Sequence, residues 1–206
     1  MKRISALLSL ALLALLLITP TTDARDAVGS SFGCFSTGRS LMKGTGLAGL
    51  GVGIGLGDNQ RNTVVGSIHY GLYEYIEISG RAGLADADDV RLTFYGDFKY
   101  QFMDGGPELN DPFDLAIGGF FEYIKDVTQV GAQAMISKLY LMDRMQSLEP
   151  YARINVRVEN VNSDSDIQFG LNGGLRWGVT RNISLFGELQ LDGNDGLFLG
   201  LKDSIF

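Results

Sequence analysis

From residue 90 to residue 102 the chain alternates between two kinds of side chain. Val90, Leu92, Phe94, Phe98, Tyr100 and Phe102 fall on one side of an extended strand, and Arg91, Thr93, Asp97, Lys99 and Gln101 fall on the other. A period of two sustained this long requires a β-strand with two unlike faces. At about 3.3 Å per residue, such a strand is long enough to cross a tilted bilayer span. The rest of the sequence repeats the pattern. Amphipathic runs at 47–56, 63–71, 75–84, 113–124, 128–140, 151–161, 167–179, 183–191 and 197–202 bring the expected total to ten strands. Eight is the alternative, because the first run is rich in glycine and the last is short. The fold class expected is all-β: an up-and-down antiparallel transmembrane β-barrel over residues 47–206.

What precedes the barrel divides in two. Residues 1–24 read as a secretory signal peptide: Lys2 and Arg3 lead a Leu/Ala-rich core, and Thr22 and Ala24 are the small residues a signal peptidase reads. An uncleaved anchor is the other reading. Residues 25–46 are rich in Gly, Ser and Thr without a sustained period, which gives an N-terminal segment either free or tucked into the barrel as a plug. Removing the leader takes Lys2, Arg3 and Asp23 from a total of 17 basic and 24 acidic residues, leaving 15 and 23. The resulting formal charge of −8 argues against a nucleic-acid partner. The lone Cys34 cannot form an internal disulfide.

Alternation does not say which face is inside, and a soluble, lipocalin-like ligand-binding barrel would carry the charged face outward. Two features favour lipid outside. Tyr70, Tyr73, Tyr75, Tyr100, Phe102, Phe113, Tyr140, Tyr151 and Trp177 crowd one end, where an interfacial aromatic girdle belongs. The charged face is also nearly balanced, as expected of buried groups that must pair with one another. The lumen network expected from this parity comprises Glu77, Arg81, Arg91, Asp97, Lys99, Glu122, Arg153, Arg157, Glu159, Arg176 and Glu188. Asp114 and Lys202 share its face. The slight positive surplus would favour anions in any residual conductance. In the first strand Gly49, Gly51, Gly53 and Gly55 take the inward positions, which suggests that something lies close against it.

With this pattern, its leader and its terminal Phe206, the sequence resembles the small outer-membrane β-barrels of Gram-negative bacteria, such as the OmpA-type transmembrane domain. The resemblance implies periplasmic transit, folding by the barrel-assembly machinery and residence in outer-membrane lipid. Two departures stand out. Phe206 does not continue the parity of Leu197, Leu199 and Leu201, and the long outer loops of that family are missing.

Little in the sequence points to chemistry. His69 is the only histidine, and Ser67 shares its face, but residues two apart on a strand are separated by roughly 7 Å, too far for direct proton transfer. A lipid-modifying enzyme is therefore kept only as an alternative to a structural or narrow passive-pore role. The short turns are acidic, with Asp58, Asp86, Asp88, Asp89, Asp126, Asp164, Asp166, Asp192 and Asp195 gathered at one end. Asp86, Asp88, Asp89, Asp164 and Asp166 are the candidates for binding Ca²⁺ or Mg²⁺, since hard cations prefer carboxylate oxygen. Aspartate also starts tight turns with no metal involved.

Overall fold

The computed structural model describes residues 28–56, 61–86, 90–106, 111–142, 146–161 and 164–205. The expected leader, Asp58, Asp88, Asp89 and Phe206 lie outside them. The described strands are β1 (Gly46–Gly55), β2 (Asn62–Tyr73), β3 (Ile76–Asp86), β4 (Val90–Met103), β5 (Asp114–Ile124), β6 (Val127–Ser137), β7 (Tyr140–Leu141), β8 (Ser147–Val161), β9 (Asp164–Gly178), β10 (Ile183–Leu191) and β11 (Gly196–Ser204). Neighbours pair antiparallel in chain order, β1 pairs with β11, and β6 pairs with β8, so the sheet closes on itself. The two-residue β7 only extends the β6 side of β8, at Tyr140 and Leu141. The result is a closed ten-stranded barrel of meander topology. Each of the ten staves has two neighbours, so the barrel wall closes on itself.

The alternation resolves as lipid outside and charge inside. Leu50, Val64, Ile167 and Phe169 are each about three-fifths or more exposed, and exposed large apolar side chains recur on all ten staves. Monomeric soluble proteins rarely expose apolar patches above a few hundred Å². A belt running right around the molecule is stable only in hydrocarbon. Meanwhile Glu122, Arg153, Arg157, Lys99 and Glu188 are among the most deeply buried side chains. A soluble ligand-binding barrel needs these faces reversed, so that alternative is overturned. The aromatic girdle forms at the end where β1 begins and β11 finishes: Tyr73, Tyr75, Tyr100, Phe102, Tyr140 and Trp177 are exposed there. Tyr151 is a correction. It has the parity of Arg153 and points into the lumen, where its hydroxyl donates to Glu188 at 2.6 Å.

The turns fall into two rings. One carries the acidic connections, including the two-residue turn at Lys125 and Asp126, where Asp126 takes a φ of 68° that aspartate tolerates better than most residues. The other carries both ends of the barrel sheet and the connections 74–75 and 179–182.

Candidate functional site in the barrel lumen

The lumen contains more than wall side chains. A ten-stranded barrel is wider than the eight-stranded kind that side chains alone can fill. Residues 28–41 run through the extra space. They enter beside Gly46, at the end holding both ends of the barrel sheet, where Gly44 donates to the carbonyl of Gly71 and Gly71 donates to that of Thr45. They finish at the acidic-turn end, where Val28 and Gly29 donate their backbone N–H groups to the Glu159 carboxylate at 2.9 and 3.1 Å. Of the two placements open for the N-terminal segment, the plug is the observed one, and Gly29 to Gly38 are buried throughout.

The wall holds this segment by its backbone. Carboxylates take the amides: Ser30 donates to Asp192 at 3.2 Å, Ser31 to Glu122 at 2.8 Å, and Cys34 and Phe35 to the two oxygens of Glu188 at 2.6 and 2.9 Å. Nearer the other end, Ser40 donates to Gln101 at 2.7 Å and Leu41 to Glu77 at 3.1 Å. Cations and amides take the carbonyls. Arg81 donates to Gly33 and Lys202 to Phe35, and Lys99 reaches Thr37 at 3.0 Å and Arg39 at 2.8 Å. Gln190 and Asn194 both donate to Ser30, at 2.8 and 2.9 Å. Midway, Phe32 and Phe35 enter a cluster with Tyr95, Phe120, Phe186 and Phe198: Phe32 meets Tyr95, and Phe35 meets Phe186 and Phe198, edge-on at centroid distances of 5.8 to 6.2 Å, while Phe120 stacks on Tyr95.

The inward glycines of β1 now have a cause. A methyl group at Gly51 would stand 2.7 Å from the Phe35 ring, and one at Gly53 would overlap Phe198. The segment needs glycine in turn, since a methyl group at Gly33 would lie 2.9 Å from Phe198.

Of the charged residues expected on the inward face, Glu77, Arg81, Lys99, Glu122, Arg153, Arg157, Glu159 and Glu188 are buried, and their contacts are more varied than charge against charge. Ion pairs join Glu77 to Lys99 at 3.0 Å, Arg81 to Asp97 at 3.4 Å, Arg157 to Glu159 at 2.8 Å and Arg176 to Glu149 at 3.1 Å. Glu122 and Glu188, by contrast, form no ion pair among the described residues and are satisfied by plug amides and by the Ser30 and Tyr151 hydroxyls. Arg153 is held by Asn172 at 2.9 Å and Gln133 at 3.2 Å, again without an ion pair among the described residues. Arg91 is half-buried on the same face. Glu149, Asp192 and Arg61 are buried with the network although none was expected in it, and they remove the positive surplus. Parity could have found Glu149, which is in step with Arg153. Asp192 was hidden by its place in a turn, where it pairs with Arg157 at 3.5 Å. Burial raises the Asp192 carboxyl above its ordinary range, against the pull of Arg157, and lowers the Arg61 guanidinium.

His69 Nδ1 lies 3.0 Å from Glu77, and its buried Nε2 has no hydrogen-bond partner among the described residues. Ser67 is buried on the same face. Of the candidate cation ligands, Asp86 and Asp164 are exposed and Asp166 is half-buried. No three His, Cys, Asp or Glu residues converge on a metal position among the described residues.

No family model matches the chain, and no curated protein matches it. Solved structures do. The N-terminal β-barrel domain of Pseudomonas aeruginosa OprF aligns over 79% of this chain and 98% of its own at 13% identity and a TM-score of 0.40. The KdgM porin aligns over 77% and 99% at 10% identity and a TM-score of 0.43. A designed transmembrane β-barrel aligns over 81% and 100% at 14% identity and a TM-score of 0.39.

Proposed function

We propose that the protein is a non-enzymatic outer-membrane barrel whose narrow passive pore is closed at rest by its own N-terminal segment. The observation that carries this reading is the burial of Gly29 to Gly38 in a lumen whose charged groups are bonded to that segment. An ion could pass only by displacing polypeptide. The apolar belt supplies the anchorage in lipid, and the partners that follow are outer-membrane lipid and the barrel-assembly machinery. For His69, the contact with Glu77 and the unpartnered Nε2 support a place in the lumen network over a nucleophile–base pair.

Two experiments test this. Fractionation followed by detergent gels should find the protein in the outer membrane, with unboiled and boiled forms migrating differently. In planar bilayers the full chain should show no steady open state. The Gly33→Trp variant, whose side chain cannot sit beside Phe198, should conduct steadily while remaining heat-modifiable. Steady conductance by the unaltered chain would overturn the closed-pore reading.

A further inference from the structure

The lumen recognises its occupant in an unusual way for a sheet protein. Extended peptides commonly bind sheet proteins by adding a strand to an open edge, where main-chain groups are unpaired. A closed barrel has no such edge, because each stave already bonds to two neighbours. Here wall side chains replace the edge, with carboxylates placed at amides and ammonium, guanidinium and carboxamide groups placed at carbonyls. Glu188 shows the principle most clearly. Its two oxygens accept consecutive amides, from Cys34 and Phe35, while Lys202 takes the carbonyl of Phe35. The segment answers with no charge of its own between Val28 and Gly38. Its side chains contribute small size where the wall is close, as at Gly33, and two aromatic rings for the central cluster.

From this geometry we infer that the lumen is a binding channel for glycine-containing polypeptide, uncharged over its buried length and bent at Phe35, where φ is 42°, that is read through its backbone. Residues 28–41 are its resident ligand, neutral from Val28 to Gly38 and followed by Arg39, which pairs with Asp104 at 3.2 Å, and a separate peptide of the same chemistry can occupy it in their place. The inference rests on the closed-pore reading and adds to it the class of ligand. Backbone recognition explains why so charged a wall encloses so neutral a segment: hydrogen bonds to charged groups are the stronger kind, and every residue outside a sheet has an amide and a carbonyl free to make them. Nothing covalent ties the segment to the wall beyond its continuation into β1 at Gly46.

The test uses the full chain, folded first and opened afterwards. Met42, Lys43 and Gly44 are exposed, so a specific protease site inserted after Lys43 can be cut in the folded barrel. A fluorescent synthetic peptide of residues 28–41 should then bind the cut protein by exchange and leave the uncut protein unlabelled. Unlabelled 28–41 peptide should compete. A competitor N-methylated at Cys34 and Phe35 keeps every side chain but loses the two amides that Glu188 accepts. It should bind on the order of tenfold more weakly or worse, equivalent to roughly 1.4 kcal/mol. N-methylation at Thr37, whose amide has no wall partner among the described residues, is the steric control and should cost much less. Equal weakening by both methylations, equal competition by a scrambled peptide, or no exchange after cutting would each overturn the inference. Conductance of the uncut chain is read separately, so a closed pore with indiscriminate peptide binding rejects the backbone claim alone.

Discussion

At the scale of single residues, glycine and carboxylate carry most of the meaning. Gly51 and Gly80 are both strand glycines, but Gly51 faces the Phe35 ring, whereas a methyl group on Gly80 would meet open space. Gly51→Val should destabilise the folded barrel by about 1–3 kcal/mol, as overpacking does. Gly80→Ala should stay within about 0.5 kcal/mol. Denaturant unfolding in detergent, followed by gel shift, compares the two. Asp192 gives a pH signature. Its folded carboxyl is held above the ordinary range by burial, so protonation favours the folded state. That contribution is complete at pH values below the unfolded carboxyl's pKa of about 3.9, and it is lost as pH rises through the folded value. The stability of the unaltered protein relative to Asp192→Asn should therefore fall as pH is raised from about 4 towards neutrality. A difference that grows over that range would contradict the assignment. The inward parity of Glu122, Arg153 and Glu188 was legible in the sequence because a strand assigns faces by counting. The plug partners of Glu122 and Glu188 were not legible, because an amide of Cys34 or Ser31 belongs to the backbone and leaves no trace in residue type.

At the scale of elements, all ten staves could be read from the period of two, and the discrepancies have local causes. The run expected from residue 151 begins four residues earlier, at Ser147. Pro150 reads as a strand boundary because it lacks an N–H, yet it pairs in register with Leu175 within the sheet. The stave expected from residue 167 starts at Asp164, where Asp and Ser residues imitate turn chemistry. The plug is a different case. It has no period because it belongs to no sheet, and only the inward glycines of β1 hinted at its presence. Wall and plug depend on each other through Glu188, which accepts from Cys34, Phe35, Tyr151 and Asn172. Glu188→Ala should cost about 3 kcal/mol or more, since several buried donors lose their acceptor together. Glu188→Gln, which keeps one acceptor oxygen, should cost less; the same unfolding assay ranks them, and the reverse order would count against the proposed grip.

At the scale of the whole molecule, the chain crosses the barrel once within the lumen before crossing ten times in the wall. Val28 therefore lies at the acidic-turn end, while Ile205 lies at the other, where it donates to the carbonyl of Gly46. An epitope inserted ahead of Val28 and another placed after Phe206 should be accessible from opposite sides of the membrane. In intact cells and in lysed ones, antibody binding should distinguish them, and exposure of both on one side would rule out the threaded path. The most direct measurement uses Cys34, the only thiol in the chain, which is fully buried in the lumen. The folded protein in detergent is treated briefly with a bulky maleimide, quenched, and run unboiled beside a sample labelled after boiling. A plugged barrel predicts no label on the fast-migrating folded band and complete label after unfolding. Rapid labelling of the folded band would place residues 28–41 outside the lumen and contradict the account.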